Sequence, residues 1–131
     1  MVDIREQSPL ALAFVGDAVY SLLIREYIVR EKRYPVSKLN SMSVRYVSAK
    51  GQFEALKLIE ETLTEEEAGW VRRGRNTTKT TVSKHADPEE YRASTGFECL
   101  LGYLELTGQK ERIKHLVRLI LENFPAEDFT E

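Results

Sequence analysis

The apolar residues of this chain recur three and four positions apart from end to end, and this spacing constrains the fold more than any other feature. One such series runs from Leu12 through Val19 to Ile28. No segment alternates apolar with polar residues as a half-buried strand does. A chain of 131 residues suits one domain with a modest core. We therefore expect a single all-α domain over residues 1–131, with its core between about residues 9 and 124.

Capping residues mark the expected helix starts. A capping side chain precedes a proline at two places, and a hydroxyl lies three residues before a glutamate at a third; both patterns are typical of helix N-termini. These starts are Ser8-Pro9, Asp87-Pro88, and Thr64 with Glu67. The helix after Thr64 is expected to end near Arg73, and Ser37 is expected to cap the helix after Pro35. Gly108 is expected to end the penultimate helix.

The charge of the chain is unevenly distributed. The net charge is −2, which alone is weak support for a nucleic-acid partner, but basic residues concentrate in 25–50 and in 71–84. Segment 71–84 has no acidic residue, and the polar segment 74–86 lacks helical spacing, so we expect a basic loop over 74–86. For 25–50 a solvated helix face is an equally open alternative. Candidate contacts to nucleic-acid phosphates are Lys38, Arg45, Lys50, Arg72, Arg73, Arg75, Lys79 and Lys84.

Two carboxylates interrupt apolar runs. Asp17 lies within the run 10–20, and Glu98 lies within the run 97–104. An ionised carboxylate in apolar surroundings is unfavourable unless a cation, a metal or hydrogen-bond donors compensate it. Asp17 could instead cap a helix, but the apolar spacing continues through it, so we expect it to project into a packed environment. Glu98 is expected in mid-helix, where Arg92 points elsewhere, so its partner must come from another segment.

The two acids together indicate a site for one divalent metal ion. Small residues flank both acids and would let a bulky ligand approach. They are Gly16, Ala18, Gly96 and Cys99. Hard oxygen ligands without histidine suit Mg²⁺ or Mn²⁺. His85 and His115 form no Glu-x-x-His pair and are expected to be ordinary surface residues. A purely structural role of the acids, in buried ion pairs, is the alternative.

The sequence also indicates a cellular compartment. The single cysteine, Cys99, excludes an intramolecular disulfide and a thiolate zinc cluster, which favours a reducing, cytoplasmic setting. The longest apolar stretch, 10–24, is broken by Asp17 and is too short to span a bilayer. Residues 1–6 lack the pattern of a secretory signal. We expect a cytoplasmic protein without a membrane partner.

Four segments, taken in order, resemble the ribonuclease III family. Segment 14–19, Phe-Val-Gly-Asp-Ala-Val, is similar to the family signature of an aromatic, an aliphatic, Gly, Asp, Ala and an aliphatic residue. Segment 97–104 is similar to the second acidic helix of the family, and 47–52 and 73–76 also match in order and spacing. The resemblance extends over nearly the whole chain.

The resemblance implies a helical catalytic domain that works as a homodimer and cleaves double-stranded RNA. It implies dependence on Mg²⁺, for which Mn²⁺ can substitute, and products with 5′-phosphate and 3′-hydroxyl ends. Asp17 and Glu98 match the two family acids that bind the metal and so activate a water.

Two departures from the family point to its short form, Mini-ribonuclease III. Ala13 and Thr95 stand where longer members carry a further Glu and Asp, which puts protein ligation of a second metal in doubt. The chain also ends where longer members continue into a double-stranded-RNA-binding domain, so segment 72–84 is expected to carry much of the RNA contact. The short form implies maturation of precursors of 23S ribosomal RNA, and it leaves open whether a ribosomal protein takes part.

Two other functions remain open at this point. One is a non-catalytic RNA-binding module of the same fold that acts in ribosome assembly, which the missing acids at Ala13 and Thr95 would suit. The other is a helical protein-interaction adaptor, which would leave the basic segment 71–84 without a purpose.

Overall fold

The computed structural model describes residues 1–77 and 87–125, and within them it contains six α-helices and no strand. The helices are α1 (Pro9–Glu31), α2 (Val36–Val47), α3 (Ala49–Ile59), α4 (Glu65–Thr77), α5 (Pro88–Leu106) and α6 (Lys110–Asn123). The predicted all-α class is confirmed. No helix of this described part is both long and apolar enough to cross a membrane.

The predicted starts of α1 and α5 are confirmed by capping hydrogen bonds. Ser8 Oγ accepts from the backbone N–H of Leu10 at 3.2 Å, and Asp87 Oδ1 accepts from that of Glu89 at 2.8 Å. The proline after each cap begins the helix without losing a bond, because the first N–H of a helix has no intrahelical partner. The predicted cap of α2, Ser37, is wrong, because α2 begins at Val36 and no side chain caps it.

The end of α4 also differs from the prediction. The helix continues to Thr77, four residues beyond its expected end, because its last turns pack against α5. A Cβ added at Gly74 would lie 2.7 Å from the Cα of Gly96, and Arg75 forms an ion pair with Glu89. The rest of the predicted loop, 78–86, which includes Lys79, Lys84 and His85, lies outside the described residues.

Helix α5 is the centre of the molecule. Eleven of its 19 residues are buried, and they lie on every side of the helix, as is typical of a helix surrounded by others. It packs most extensively against α1 and also against α4 and α3. Tyr20 of α1 meets Phe97 of α5 edge to face, with ring centroids 4.8 Å apart. A residue on α5 can therefore be reached from three neighbouring helices.

Two glycines let the backbones of α1 and α5 touch. A Cβ added at Gly16 would lie 1.8 Å from the backbone oxygen of Glu98, and one at Gly102 would lie 1.8 Å from that of Leu12. Contact this close is possible only where the side chain is absent. Because Asp17 follows Gly16 in the chain, the crossing carries Asp17 to the turn of α5 that bears Glu98.

Candidate metal centre

The structure brings the two predicted acids into contact. Asp17 lies inside α1, so it is not a helix cap, and the carboxyl groups of Asp17 and Glu98 are within hydrogen-bond reach of each other. Glu98 is half-buried, whereas Asp17 is exposed. The expectation of a packed environment is therefore wrong for Asp17, because α1 turns that residue toward solvent at the edge of the crossing. An exposed and a half-buried carboxylate form a site that a ligand from solvent can enter.

A third residue, Gln52 of α3, completes the site. Its Nε2 donates to Glu98 Oε2 at 3.0 Å and to the backbone oxygen of Val47 at 3.1 Å. The predicted partner of Glu98 from another segment is thus an uncharged amide. Sequence reasoning missed Gln52, although a signal exists: a polar residue stands at 52, in helical register with the core residues Leu56 and Ile59.

The carboxyl groups of Asp17 and Glu98 lie close enough that a cation between them would be stabilising. Burial is the main cause that raises the pKa of Glu98; the hydrogen bond from Gln52 opposes this, and the charge and hydrogen bond of Asp17 raise the pKa further. Within residues 1–77 and 87–125, neither Asp17 nor Glu98 takes part in an ion pair. The alternative of a structural ion pair therefore finds no support in the described part of the chain.

The donor set fits a magnesium or manganese ion. In the described ranges no three His, Cys, Asp or Glu side chains come together, so the site is a carboxylate pair. Ala13 and Thr95 are buried beside it, and the Thr95 hydroxyl donates to the backbone oxygen of Tyr91 at 3.1 Å. Mg²⁺ is commonly held by one or two carboxylates, with waters and substrate phosphates as its other ligands. Asp17 and Glu98 meet that requirement.

Three of the four small residues beside the acids, Gly16, Gly96 and Cys99, are buried where helices pack, whereas Ala18 is exposed. Gly16 lies against the backbone of Glu98, and a Cβ at Gly96 would lie 2.6 Å from the backbone oxygen of Val71. They shape the crossing of α1 with α5 and the contact of α5 with α4, which differs from the expected role of admitting a ligand. Cys99 is fully buried, and burial raises the pKa of its thiol to about 12.

Basic candidates on α2 and α3 lie on the surface. Arg45 and Lys50 line a groove of about 580 Å³ together with Ser48, which caps α3, and with Phe124. The Arg45 guanidinium lies 5.1 Å from the centroid of the Phe124 ring. Since Lys50 is two residues from Gln52, the same end of α3 carries both a basic side chain and the partner of Glu98. The third candidate of this region, on α2, is Lys38, whose ammonium lies 4.3 Å over the ring of Tyr34.

Basic candidates on α4 are helical residues. Arg72 and Arg73 are exposed, and the Arg73 guanidinium stacks 4.5 Å from the centroid of the Trp70 ring. Segment 71–84 has no acidic residue of its own, but Arg75 is paired in the structure, because Glu89 of α5 forms an ion pair with it across the helix contact. Arg72 and Arg73 thus keep their charges for an external anion better than Arg75 does.

The sequence and the fold of this chain are similar to those of several known proteins. A family model described as "Ribonuclease III domain" matches residues 10–109. A Mini-ribonuclease 3 of Thermoanaerobacter sp. is 51% identical over 115 residues, covering 88% of this chain and 81% of that protein. One of Enterococcus faecalis is 46% identical over 119 residues, covering 89% of this chain and 90% of that protein. The crystal structure of a Fusobacterium nucleatum protein superposes with a TM-score of 0.82 at 32% identity, covering 93% of this chain and 98% of that one.

Proposed function

The chain belongs to the ribonuclease III family, and we propose on that basis that it cleaves double-stranded RNA with a Mg²⁺ ion held by Asp17 and Glu98. Membership makes the chain a ribonuclease III-type endonuclease; the identity of the metal and of the residues that hold it is the proposal. The observation that carries it is the contact of two carboxylates, from α1 and α5, without an ion pair in the described part of the chain.

Each residue of the site has a distinct task in the proposed hydrolysis. A divalent ion bound there would lower the pKa of a water and stabilise the charge that develops on the phosphate. Asp17, being exposed, holds the solvent side of the site, which an RNA phosphate can approach. Glu98 holds the buried side and is fixed by α5. The products expected of this hydrolysis carry 5′-phosphate and 3′-hydroxyl ends.

We assign RNA phosphate contacts to the basic surface residues. Arg45 and Lys50 border the groove at the start of α3, and Arg72 and Arg73 are exposed on α4. Contacts of this kind follow the backbone and shape of a duplex and carry no base sequence, as is usual for double-stranded RNA. Lys38, Arg75, Lys79 and Lys84 complete the proposed set.

The working unit is proposed to be a homodimer. The exposed face of α1 carries an apolar stripe formed by Leu10, Phe14, Leu22 and Val29, and 83% of Phe14 is exposed. A second copy of the chain is the expected cover for this stripe, because a symmetric dimer pairs identical patches. Asp17 lies three residues from Phe14, so each site would border the interface. Two sites related by symmetry could then cut the two strands of one duplex.

The proposed natural substrate is the precursor of 23S ribosomal RNA, processed in the cytoplasm. The support for it is the similarity to proteins named Mini-ribonuclease 3 together with the resemblance to the short form of the family. Mapping of 23S 5′ and 3′ ends in cells without this protein is the direct test. Extended ends are expected, and mature ends in such cells would exclude this substrate. Repeating the cleavage of purified precursor with and without ribosomal proteins shows whether one of them is needed.

A cleavage assay tests the site itself. Duplex RNA is incubated with wild type, Asp17→Asn, Glu98→Gln and the control Glu105→Gln, which lies on the same helix as Glu98 and pairs with Lys110 at the surface. We expect cleavage in Mg²⁺ or Mn²⁺ but not in EDTA, its loss in both site variants with RNA binding kept, and normal cleavage by the control. Binding without cleavage by wild type would instead identify a non-catalytic RNA-binding module.

A further inference from the structure

Gln52 is a buried polar residue whose amide nitrogen is fully hydrogen-bonded. Its side chain is 2% exposed, and both hydrogens of its amide nitrogen have acceptors, Glu98 Oε2 and the backbone oxygen of Val47. Because the backbone oxygen of Val47 can only accept, the nitrogen of the amide must be the atom that lies between Val47 and Glu98, which fixes the orientation of the amide. The amide oxygen Oε1 is buried and has no partner among the described residues. Packing alone favours an apolar side chain of the same length here.

The chemistry of the donor suits a metal site. An arginine or lysine in this place would neutralise Glu98 and compete with a metal ion, whereas a neutral amide adds no positive charge beside the carboxyl group. Gln52 also engages one defined oxygen, Oε2, and leaves Glu98 Oε1 outside this bond. Donors of this kind orient metal-binding carboxylates in many proteins and raise their affinity for the ion.

We propose that Gln52 is a positioning residue, which holds the Glu98 carboxylate in the orientation that binds the metal ion. This inference rests on the proposed function of Asp17 and Glu98 as metal ligands. It adds a third helix, α3, to the site, and that helix also carries Lys50 toward the proposed RNA surface. Gln52 touches neither metal nor RNA in this role and acts only through Glu98.

Direct metal binding separates this role from packing. Mn²⁺ affinity is measured by electron paramagnetic resonance on the RNA-free protein, for wild type, Gln52→Leu and Gln52→Met. Neither variant has an amide donor, and the unbranched methionine keeps the length of the side chain if leucine fails to fold. We expect the dissociation constant to rise about tenfold in both, within the ~10–100-fold range seen when such partners are removed. Cleavage should recover at saturating Mn²⁺, because the loss lies in metal binding.

The control variant is Ser43→Ala, which removes another buried polar side chain, whose hydroxyl donates to the backbone oxygen of Asn40 in its own helix. It should leave Mn²⁺ affinity unchanged. If the Gln52 variants bind Mn²⁺ as wild type does while their unfolding midpoints fall, Gln52 merely ties α3 to α5 and the inference is overturned. If wild-type protein binds no Mn²⁺, or if the Asp17→Asn variant binds Mn²⁺ as tightly as wild type does, the proposed metal site is wrong and this inference is wrong with it.

Discussion

Gly16 sets the separation of the two acids, because its missing side chain allows α1 to touch α5. Gly16→Ala would place a methyl group 1.8 Å from the backbone oxygen of Glu98. Because this oxygen belongs to the backbone, no side-chain movement can relieve the clash. We expect destabilisation of about 3 kcal/mol, at the upper end of typical overpacking effects. Separation of Asp17 from Glu98 should also reduce cleavage by about 10²-fold, as misplacement by about 1 Å can do. Urea unfolding and duplex cleavage measure the two effects.

The matched control is Gly69→Ala on α4. A Cβ there meets nothing nearer than a terminal nitrogen of Arg72 at 3.7 Å, and Gly69 lies inside the helix. Alanine should therefore stabilise the protein by about 0.5–1 kcal/mol through its helix propensity. A Gly16→Ala protein as stable as the Gly69→Ala protein would contradict the close crossing of α1 and α5.

Gln52 and Asp17 show what the sequence could not supply at the level of single residues. The two acids were recognisable because charges inside apolar runs are unfavourable without a partner. The partner of Glu98 was not, because a glutamine far away in the chain becomes a donor only when α3 packs on α5. The exposure of Asp17 depends on how α1 packs on α5, since apolar spacing identifies the buried side of a helix but not how far the neighbouring helix covers it.

The start of α4 is joined to α6 by one buried carboxylate. Glu67 accepts from the backbone N–H of Thr64 at 2.9 Å, and Arg112 of α6 donates to both of its oxygens at 2.9 Å. Arg112 also donates to the backbone oxygen of Thr62 at 2.8 Å. The capping box predicted from the sequence is thus confirmed, and the structure adds a cation to it.

Arg112→Met is expected to make the stability of the protein less dependent on acid. Burial works to raise the pKa of Glu67, but the hydrogen bonds from Arg112 and Thr64 outweigh it and hold the pKa below its usual value. A lowered pKa stabilises the fold above the unfolded-state pKa, about 4.3 for Glu, and that contribution is lost as the pH falls through the folded-state value. The variant should be about 2 kcal/mol less stable at pH 7, as for a hydrogen bond to a charged group. Urea midpoints from pH 7 to pH 3 should converge.

Lys57→Met is the matched control for this ion pair. Lys57 and Glu54 lie 3.9 Å apart on the surface of α3, where ion pairs contribute about 0–1 kcal/mol. The free energy of unfolding of the Lys57→Met protein should match that of wild type at every pH. An Arg112→Met protein that keeps a constant difference from wild type down to pH 3 would show that lost packing, and not the charge of Glu67, is the cause.

The exposed residues Arg72 and Arg73 allow the proposed role of α4 in RNA binding to be tested. Replacing both by Ala should weaken duplex binding and reduce the slope of log affinity against log salt by about 1 for each phosphate contact removed. Fluorescence anisotropy at several salt concentrations measures the slope. Lys114→Ala on α6, whose charge lies near Glu111, should leave it unchanged. An equal slope for wild type and the double variant would remove α4 from the RNA surface.

The helices were predictable where their signals are local. The caps at Ser8 and Asp87 act on their own first turns, so the sequence located both starts correctly. The end of α4 was predicted too early, because glycine and arginine in a polar segment are typical of a loop. In the structure Gly74 packs against the backbone of α5, and Arg75 pairs with Glu89 of that helix. A helix end that depends on a neighbouring helix has no signature of its own.

The apolar stripe on α1 is the feature that only the whole molecule explains. Leu22 belongs to the helical spacing that predicts a core, yet it remains exposed, as do Leu10 and Phe14. Leu12, on the opposite side of α1, is fully buried. A helix with apolar residues on both sides needs partners on both sides, and α5, α2 and α4 of the same chain leave the stripe exposed. The second side is the proposed dimer face.

Phe14→Ser is expected to separate the proposed dimer without disturbing the metal site. Each copy would withdraw a phenylalanine side chain worth about 1.5–3 kcal/mol of burial, so two copies should weaken association by roughly a thousandfold. Sedimentation equilibrium should report a monomer, and Mn²⁺ affinity should remain normal because Asp17 and Glu98 belong to one chain. Cleavage of both strands of a duplex should fail. Leu106→Ser, which removes an exposed apolar side chain at the end of α5, should leave the dimer intact. If Phe14→Ser sediments as wild type does, the stripe is not the interface, and a dimer must use another surface of the molecule.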